Sequence, residues 1–337
     1  MTKITAGNEP AQLYPHAPAT LLPLLERHLP YALPVYGPIK TNTYQPVELD
    51  PDVSLPQSVG RIDQEDLKSV VWATFPVDKA HDPPEVWAVI VHLPDPQSTQ
   101  TRFYCSTERT LLSRSGGKNG ISAKGLEGRD RLDEQDVAVW RAGQDLVNGA
   151  ISTIVRASPW IRKIGALNVL WNAEVLAVLG APVNEVYDIW LAPDIESDES
   201  EGDEGIDKDG LTLDQCTVED CEIIQKTREI KEDLAYYHAR MAHISVVRPT
   251  NTSSGKPAPV AWLMTHAAGD QGALYTVEGY RRRGLARWVV RDRLEKDRGG
   301  QGVRGHVWVA RGNAGSEGLW KKLGWGRGWS VRWVYVR

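Results

Sequence analysis

Residues Thr276–Ala286 read T-V-E-G-Y-R-R-R-G-L-A and join a strand-like run, Ala273–Val277, to a helix-like run, Arg287–Arg298. A strand that delivers Arg281, Arg282, Arg283, Gly284, Leu285 and Ala286 into a helix N-terminus sets a row of unpartnered backbone N–H groups at the positive end of the helix dipole. Such a turn holds a diphosphate. Gly284 lets the backbone approach phosphate oxygens closely, Ala286 keeps the helix start uncluttered, and the arginines add attraction. The resulting spacing is Arg-x-x-Gly-x-Ala, from Arg281 to Ala286.

The pattern on either side of this turn gives the surrounding elements. Before it, Thr217–Asp220 (T-V-E-D) offers a Thr N-cap with an acidic residue three places on, and helix-compatible sequence continues to Arg240. Short apolar runs with period two then follow at His243–Val247, Pro259–Met264 and Ala273–Val277, which predicts three strands. After the turn come a helix at Arg287–Arg298, a strand at Gly305–Ala310, a helix at Ser316–Leu323 and a strand at Ser330–Tyr335. In the N-terminal half, Ala19–Leu29 has leucines at helical spacing, Ser69–Phe75 and Val86–His92 read as strands, and Leu132–Ala157 reads as helix. Ile164–Leu179 is apolar and divides between helix and strand by neither period; Val186–Ala192 reads as strand. No internal repeat is evident in the sequence, and the class is α/β (α+β).

The chain has 337 residues, 41% hydrophobic and 25% charged, so two domains of roughly 150 residues are expected. No apolar run approaches the roughly 20 residues that span a bilayer, which predicts no membrane partner. Met1–Pro18 resembles neither a secretory signal nor an Arg-rich transit peptide, so the expected compartment is the cytoplasm, with the mitochondrion as the alternative. The three cysteines show no disulfide or metal spacing, and no metal is expected. Charge is unevenly spread: Pro193–Gly210 holds nine acids against one Lys, whereas Glu278–Arg337 holds fifteen Lys or Arg against five acids. The acidic run predicts a solvated, disordered loop, either an inert linker or an electrostatic lid over the basic region. The basic region could bind nucleic acid, or the phosphates of coenzyme A. The phosphate turn favours the second, so no nucleic-acid partner is expected.

Arg281, Gly284 and Ala286 resemble the R/Q-x-x-G-x-G/A motif of the GNAT superfamily of acyl-CoA-dependent N-acyltransferases. At the right distance downstream, Asn313, Ser316, Leu319, Trp320, Leu323, Gly324 and Trp325 resemble its second motif, an Asn followed by an L-Y-x-x-x-G-F helix. The resemblance narrows to glycine N-acyltransferase-like proteins through Pro259–Met264 (P-V-A-W-L-M), Gly269–Asp270, Thr276–Leu285 and His306–Val307. Leu21–Tyr36 resembles the N-terminal stretch of the same family. This implies a GNAT fold, a mixed and mostly antiparallel twisted sheet flanked by helices. It further implies two GNAT-like domains in tandem: 1–190 without a CoA motif, an acidic loop at 191–210, and a CoA-binding catalytic domain at 211–337.

The same resemblance implies site roles. Acetyl-CoA or a larger acyl-CoA would be the co-substrate, held by the strand residues Leu274, Tyr275, Thr276 and Val277, by Arg281, Arg282, Arg283, Gly284, Leu285 and Ala286, and by Asn313 and Trp320. An amine attacks the thioester directly, and the family's Glu general base aligns with Asp270, a carboxylate one methylene shorter; Asp270 is equally readable as a turn residue in Ala268–Gly272. His266 and His306 are reserve proton acceptors. The superfamily's Tyr acid is replaced by Trp320, leaving Ser316 to protonate the thiolate or the thiolate to depart unassisted. The expected activity is transfer of an acyl group to glycine or another small amine, by a monomer or homodimer. The alternatives are a protein or polyamine acetyltransferase, and a catalytically silent acyl-CoA-binding protein.

Overall fold

The computed structural model describes residues 11–41, 71–93, 100–114, 134–157, 163–171, 186–193, 205–229, 232–250, 256–300 and 302–335. The chain forms two compact units: Met1–Ile189 with Val309–Asn313 and Arg327–Arg337, and Trp190–Trp308 with Ala314–Gly326.

The first unit begins with β1 (Tyr14–Pro15), followed by α1 (Pro18–Glu26) and α2 (Leu33–Lys40). Pro18 at the start of α1 supplies a fixed φ where no N–H bond is needed, and Leu21, Leu24 and Leu25 bury one face of that helix. Next come β2 (Val71–Ala73), β3 (Ala88–Leu93), β4 (Gln100–Cys105), α3 (Thr107–Arg114), α4 (Glu134–Ala157), β5 (Lys163–Asn168) and β6 (Val186–Leu191). The run 164–179 resolves into β5 and a 3₁₀ turn at Val169–Trp171, and 172–179 lies outside the described residues. β1 to β4 pair antiparallel in sequence order, and β4 pairs β5 in parallel.

The second unit repeats that order. It holds β7 (Leu211–Gln215), α5 (Val218–Lys226), α6 (Leu234–Ala239), β8 (Ile244–Pro249), β9 (Ala261–Thr265), β10 (Gln271–Thr276), α7 (Leu285–Gly300), β11 (His306–Ala310) and α8 (Ala314–Lys322). Again the first four strands pair antiparallel, β7–β8–β9–β10, and β10 pairs β11 in parallel. Both units therefore run strand, two helices, three strands and then a parallel strand reached through helix, α3 and α4 in the first unit and α7 in the second, although no sequence repeat betrays it. The expected class, a mixed and mostly antiparallel sheet with helices, is what the chain adopts.

Three expectations need correction. Helix to Arg240 is interrupted after Lys226, because Thr227 Oγ1 donates to the Ile224 carbonyl and so competes for helix backbone. The Thr217 cap is present as a full capping box, with Asp220 accepting from the Thr217 N–H at 2.8 Å. The C-terminal boundaries at 211–337 are not linear: β12 (Gly326–Tyr335) pairs β5 antiparallel, Val331 with Asn168 and Tyr335 with Lys163, so 327–337 belongs with the first unit. There Asp188, 1% exposed, takes hydrogen bonds from Arg311 (3.0 Å), Ser330 (2.6 Å) and Arg327, which fastens β6, the end of β11 and β12 by a buried charge fully paired. Finally, of the acidic loop 191–210, residues 194–204 lie outside the described residues, but Gly205–Gly210, though largely exposed as expected, is ordered by hydrogen bonds to Arg283.

Elements missed by pattern alone are β1, α2, β4, α3 and β7. All six residues of β4 are buried, so it shows no alternation. Among the described residues no helix is long and apolar enough to cross a membrane, and no group of three His, Cys, Asp or Glu could hold a metal.

Candidate active site

The site is built where β10 leaves its neighbours. On one side, β10 faces β9 with Gly272 opposite Met264 but Tyr275 opposite Trp262, so one extra residue bulges from the ladder between them. Ala273 takes φ 55°, the left-handed region a bulge requires. On the other side, β10 meets β11 at Gln271 and Val307, the one register position of this pair among the described residues. From Gly272 to Val277 the strand is half-exposed, with an edge of backbone N–H and C=O groups open to an extended ligand arm. Leu274, Tyr275, Thr276 and Val277, expected as cofactor contacts, lie on this edge. Tyr275 is stacked on Trp262 at 5.0 Å between centroids, which stiffens it.

The chain then makes a 3₁₀ turn at Glu278–Tyr280 and enters the arginine turn. Arg281 folds back, its Nε donating to the Thr276 carbonyl at 3.1 Å with the guanidinium over the Tyr275 ring. Arg282 has φ 65° and Gly284 φ 79°, and α7 starts immediately after, with the Trp288 N–H bonded to the Gly284 carbonyl at 3.1 Å. Leu285 and Ala286 thus stand at the N-terminal end of α7, where the helix dipole favours an anion. A Cβ at Gly284 would collide with the Gly205 carbonyl. Arg283 is engaged by the end of the acidic run: its Nε donates to Asp207 at 2.7 Å, its terminal nitrogen to the Asp209 carbonyl at 2.9 Å, and its own carbonyl accepts from the Asp207 N–H. That pairing holds the Asp207 carboxyl below its ordinary pKa.

On the face of the sheet that carries α5 and α6, polar groups gather beside the bulge. Tyr236 of α6 has its hydroxyl 2.9 Å from His266 Nδ1 and accepts the Ala267 N–H at 3.2 Å. Arg240, 9% exposed, donates to the carbonyls of Thr265 and His266 at 3.1 Å each. Asp270 is 9% exposed and closes the β9–β10 turn, its carbonyl accepting the His266 N–H at 2.7 Å. Burial raises the Tyr236 pKa, and the Asp270 charge adds to it.

Residues 250–334, which contain this whole turn, match the family model of FR47-like proteins. A solved Drosophila protein, 14% identical, has a similar structure over 98% of this chain and 99% of that chain, with a TM-score of 0.53. The chain thus shares the fold of that protein, and its site segment is similar to FR47-like proteins. More distant in structure are a tandem GNAT protein from the clavulanic acid biosynthesis pathway (13% identity, 96% and 97% covered, TM-score 0.42) and a GCN5-related N-acetyltransferase from Sphaerobacter thermophilus (11% identity, 96% and 94% covered, TM-score 0.41). No curated protein matches the chain.

In GNAT terms the remaining expected residues divide sharply. Ser316 is half-buried in the first turn of α8, and Asn313 stands in the turn before it, its N–H bonded to the Ala310 carbonyl. Trp320 is 1% exposed and packs on Trp325 at 4.4 Å, so the indole at the Tyr-acid position fills the core and is not presented to a ligand. His306 is likewise 1% exposed; its Nδ1 lies 3.0 Å from the Arg304 carbonyl, which can only accept, so that nitrogen carries a proton. An acceptor amine cannot reach it. Tyr236 and Arg240 were not identified from the sequence, because they sit more than thirty residues before the motif and are brought to it by the turn of the sheet.

Proposed function

We propose that this protein transfers an acyl group from acetyl-CoA or a larger acyl-CoA to the amine of a small molecule such as glycine or another amino acid. The reading rests above all on the open, bulged edge of β10 running into the Arg281–Ala286 cradle. The pantetheine arm of the thioester would pair with the β10 backbone as an added strand, and the diphosphate would lie on the N–H groups of Leu285 to Arg287. Backbone donors fixed at the bulge would polarise the thioester carbonyl without reorganising. The amine would attack directly, with Asp270 beside the bulge favouring loss of its proton.

The choice of a small acceptor follows from the resemblance of Pro259–Leu285 to glycine N-acyltransferase-like proteins. One observation favours a second reading, a binding protein without turnover: the position of the usual acid is filled by the buried Trp320. Release of free thiol from acetyl-CoA, benzoyl-CoA and a long-chain acyl-CoA, each with a panel of amino acids and amines, separates the two. Amine-dependent release establishes the transferase; tight binding of acetyl-CoA with no release under any amine establishes the silent protein.

A further inference from the structure

Residues paired across a sheet carry their side chains on the same face, and successive residues of a strand alternate between faces. That rule sorts the residues around the apex where β10 and β11 part. Gln271 stands opposite Thr265, whose hydroxyl donates to the Asp297 carboxylate on α7 at 2.6 Å, so Gln271 and its β11 partner Val307 lie on the face that α7 covers. Gly305, two residues before Val307, agrees, since a Cβ there would run into the Leu294 side chain of α7. Gly272 and Trp308, one step further along each strand, therefore look to the opposite face. Met264, which pairs with Gly272, packs on that face in a core cluster with Cys221 of α5 and Tyr237 of α6.

The two faces of the apex differ in access. Towards α7 it is closed, Gln271 and Val307 both being buried. Towards α5 and α6 it is flanked by two rings. A glycine inside a strand commonly marks the close approach of another group, and a Cβ on Gly272 would overlap the His266 imidazole. That ring is braced by Tyr236 of α6, whose hydroxyl is 2.9 Å from Nδ1. On β11 the flank is the half-buried indole of Trp308, which meets the His306 ring edge-on at 5.7 Å. His306 is itself fixed in the core, with Nδ1 donating to the Arg304 carbonyl at 3.0 Å.

From this placement we infer that Trp308 sets the size of the acyl group and confines the chain to acetyl-CoA and comparably short acyl donors. The inference rests on the acyltransferase reading and narrows its donor. A pantetheine arm added along β10 runs from the arginine turn back towards the bulge and cannot pass the Gln271–Val307 pair, so the thioester stops at the apex. Its acyl group then turns to the face that α7 leaves uncovered, between strands that carry Trp308 on one side and the His266 seat on the other. A longer or aromatic acyl group must displace a ring that its neighbours hold, and crowding against fixed side chains costs more than the added contact returns.

The test is steady-state thiol release from acetyl-CoA, hexanoyl-CoA and benzoyl-CoA, with whichever amine supports turnover, for wild type, Trp308→Ala and Trp308→Phe. Wild type is expected to favour acetyl-CoA in kcat/KM. Trp308→Ala should raise the hexanoyl-to-acetyl ratio by about ten- to hundredfold, and Trp308→Phe should raise it less. A purely structural role would lower kcat/KM for all three donors together; an unchanged ratio therefore overturns the inference, as does a wild type that prefers hexanoyl-CoA or benzoyl-CoA. Either result leaves the acyltransferase reading standing. Wild type that binds acetyl-CoA and releases no thiol with any amine overturns that reading instead, and the same ratio is then taken from the Kd values of the three thioesters. Binding of CoA itself reports folding of each variant, and should Trp308→Ala lose it, the ratio in Trp308→Phe decides.

Discussion

The parallel pair β4–β5 in the first unit and the parallel pair β10–β11 in the second occupy the same place in the same topology, yet only one of them opens. β4 and β5 stay in register over Gln100–Lys163, Thr101–Ile164 and Arg102–Gly165, and every residue of β4 is buried. β10 and β11 pair at Gln271–Val307, after which β10 bulges and becomes half-exposed. The turns that follow differ in the same sense. After β10 the chain enters the arginine turn, where Arg282 has φ 65° and Gly284 φ 79° ahead of α7. After β4, Glu108 bends back so that its carboxylate accepts the Cys105 N–H (3.0 Å), Trp171 Nε1 (2.9 Å) and Asn168 Nδ2 (2.9 Å). The two parallel pairs thus differ in that one is closed and buried, with a buried carboxylate beside it, while the other parts and is half-exposed.

The comparison can be broken most severely at Glu108. Burial raises its carboxyl from 4.5 to about 7, against the smaller opposing effects of its three hydrogen-bond donors. Because the folded-state value is the higher one, its contribution to stability is complete below about 4.5 and is lost as pH rises through about 7. That is a loss on the order of 3 kcal/mol for this buried group. Glu108→Gln should flatten this dependence, read as the difference between the urea midpoints of the two chains from pH 4.5 to 7.5. Midpoints that run parallel would show that the carboxylate is not buried charge.

The next largest effect is expected at Gly284→Val. The substitution places a branched side chain at φ 79° and against the Gly205 carbonyl, at a cost of about 1–3 kcal/mol concentrated in the turn. Acetyl-CoA binding by calorimetry should weaken roughly ten- to hundredfold, while the first unit keeps its urea midpoint. Equal binding would remove the turn from the cofactor site.

Smallest is the effect of Asp207→Ala. It frees Arg283 from an exposed carboxylate, and exposed ion pairs are weak and screened by salt. Acetyl-CoA should bind roughly two- to fivefold more tightly at low ionic strength, with the gain gone at high salt. Weaker binding would mean that the 205–210 segment supports the turn instead of competing with its ligand.

Much of the second unit is local and was readable. The Thr217 capping box, the period-two strands, and the strand–arginine turn–helix order each depend on residues within a few places of one another, and the positive φ of Gly284 is one a glycine at that place allows. The residues expected to handle protons were less legible. Asp270 could be aligned, but alignment does not reveal that it is buried; His306 and Trp320 looked available and are in the core. Gly272 was the unused signal, since a glycine in a strand pattern, six residues after a histidine, asks what rests on it.

The order of elements in the second unit, the arginine turn before α7 and the α/β class follow from sequence because backbone propensity and glycine conformation act over a few residues. Tertiary structure decided three things that span the chain: the pairing of β12 with β5, the parting of β10 from β11, and the seating of His266 on Gly272 under Tyr236. Each depends on which residues the folded sheet makes neighbours, and strand pairing and burial are set by the whole core rather than by the local chain.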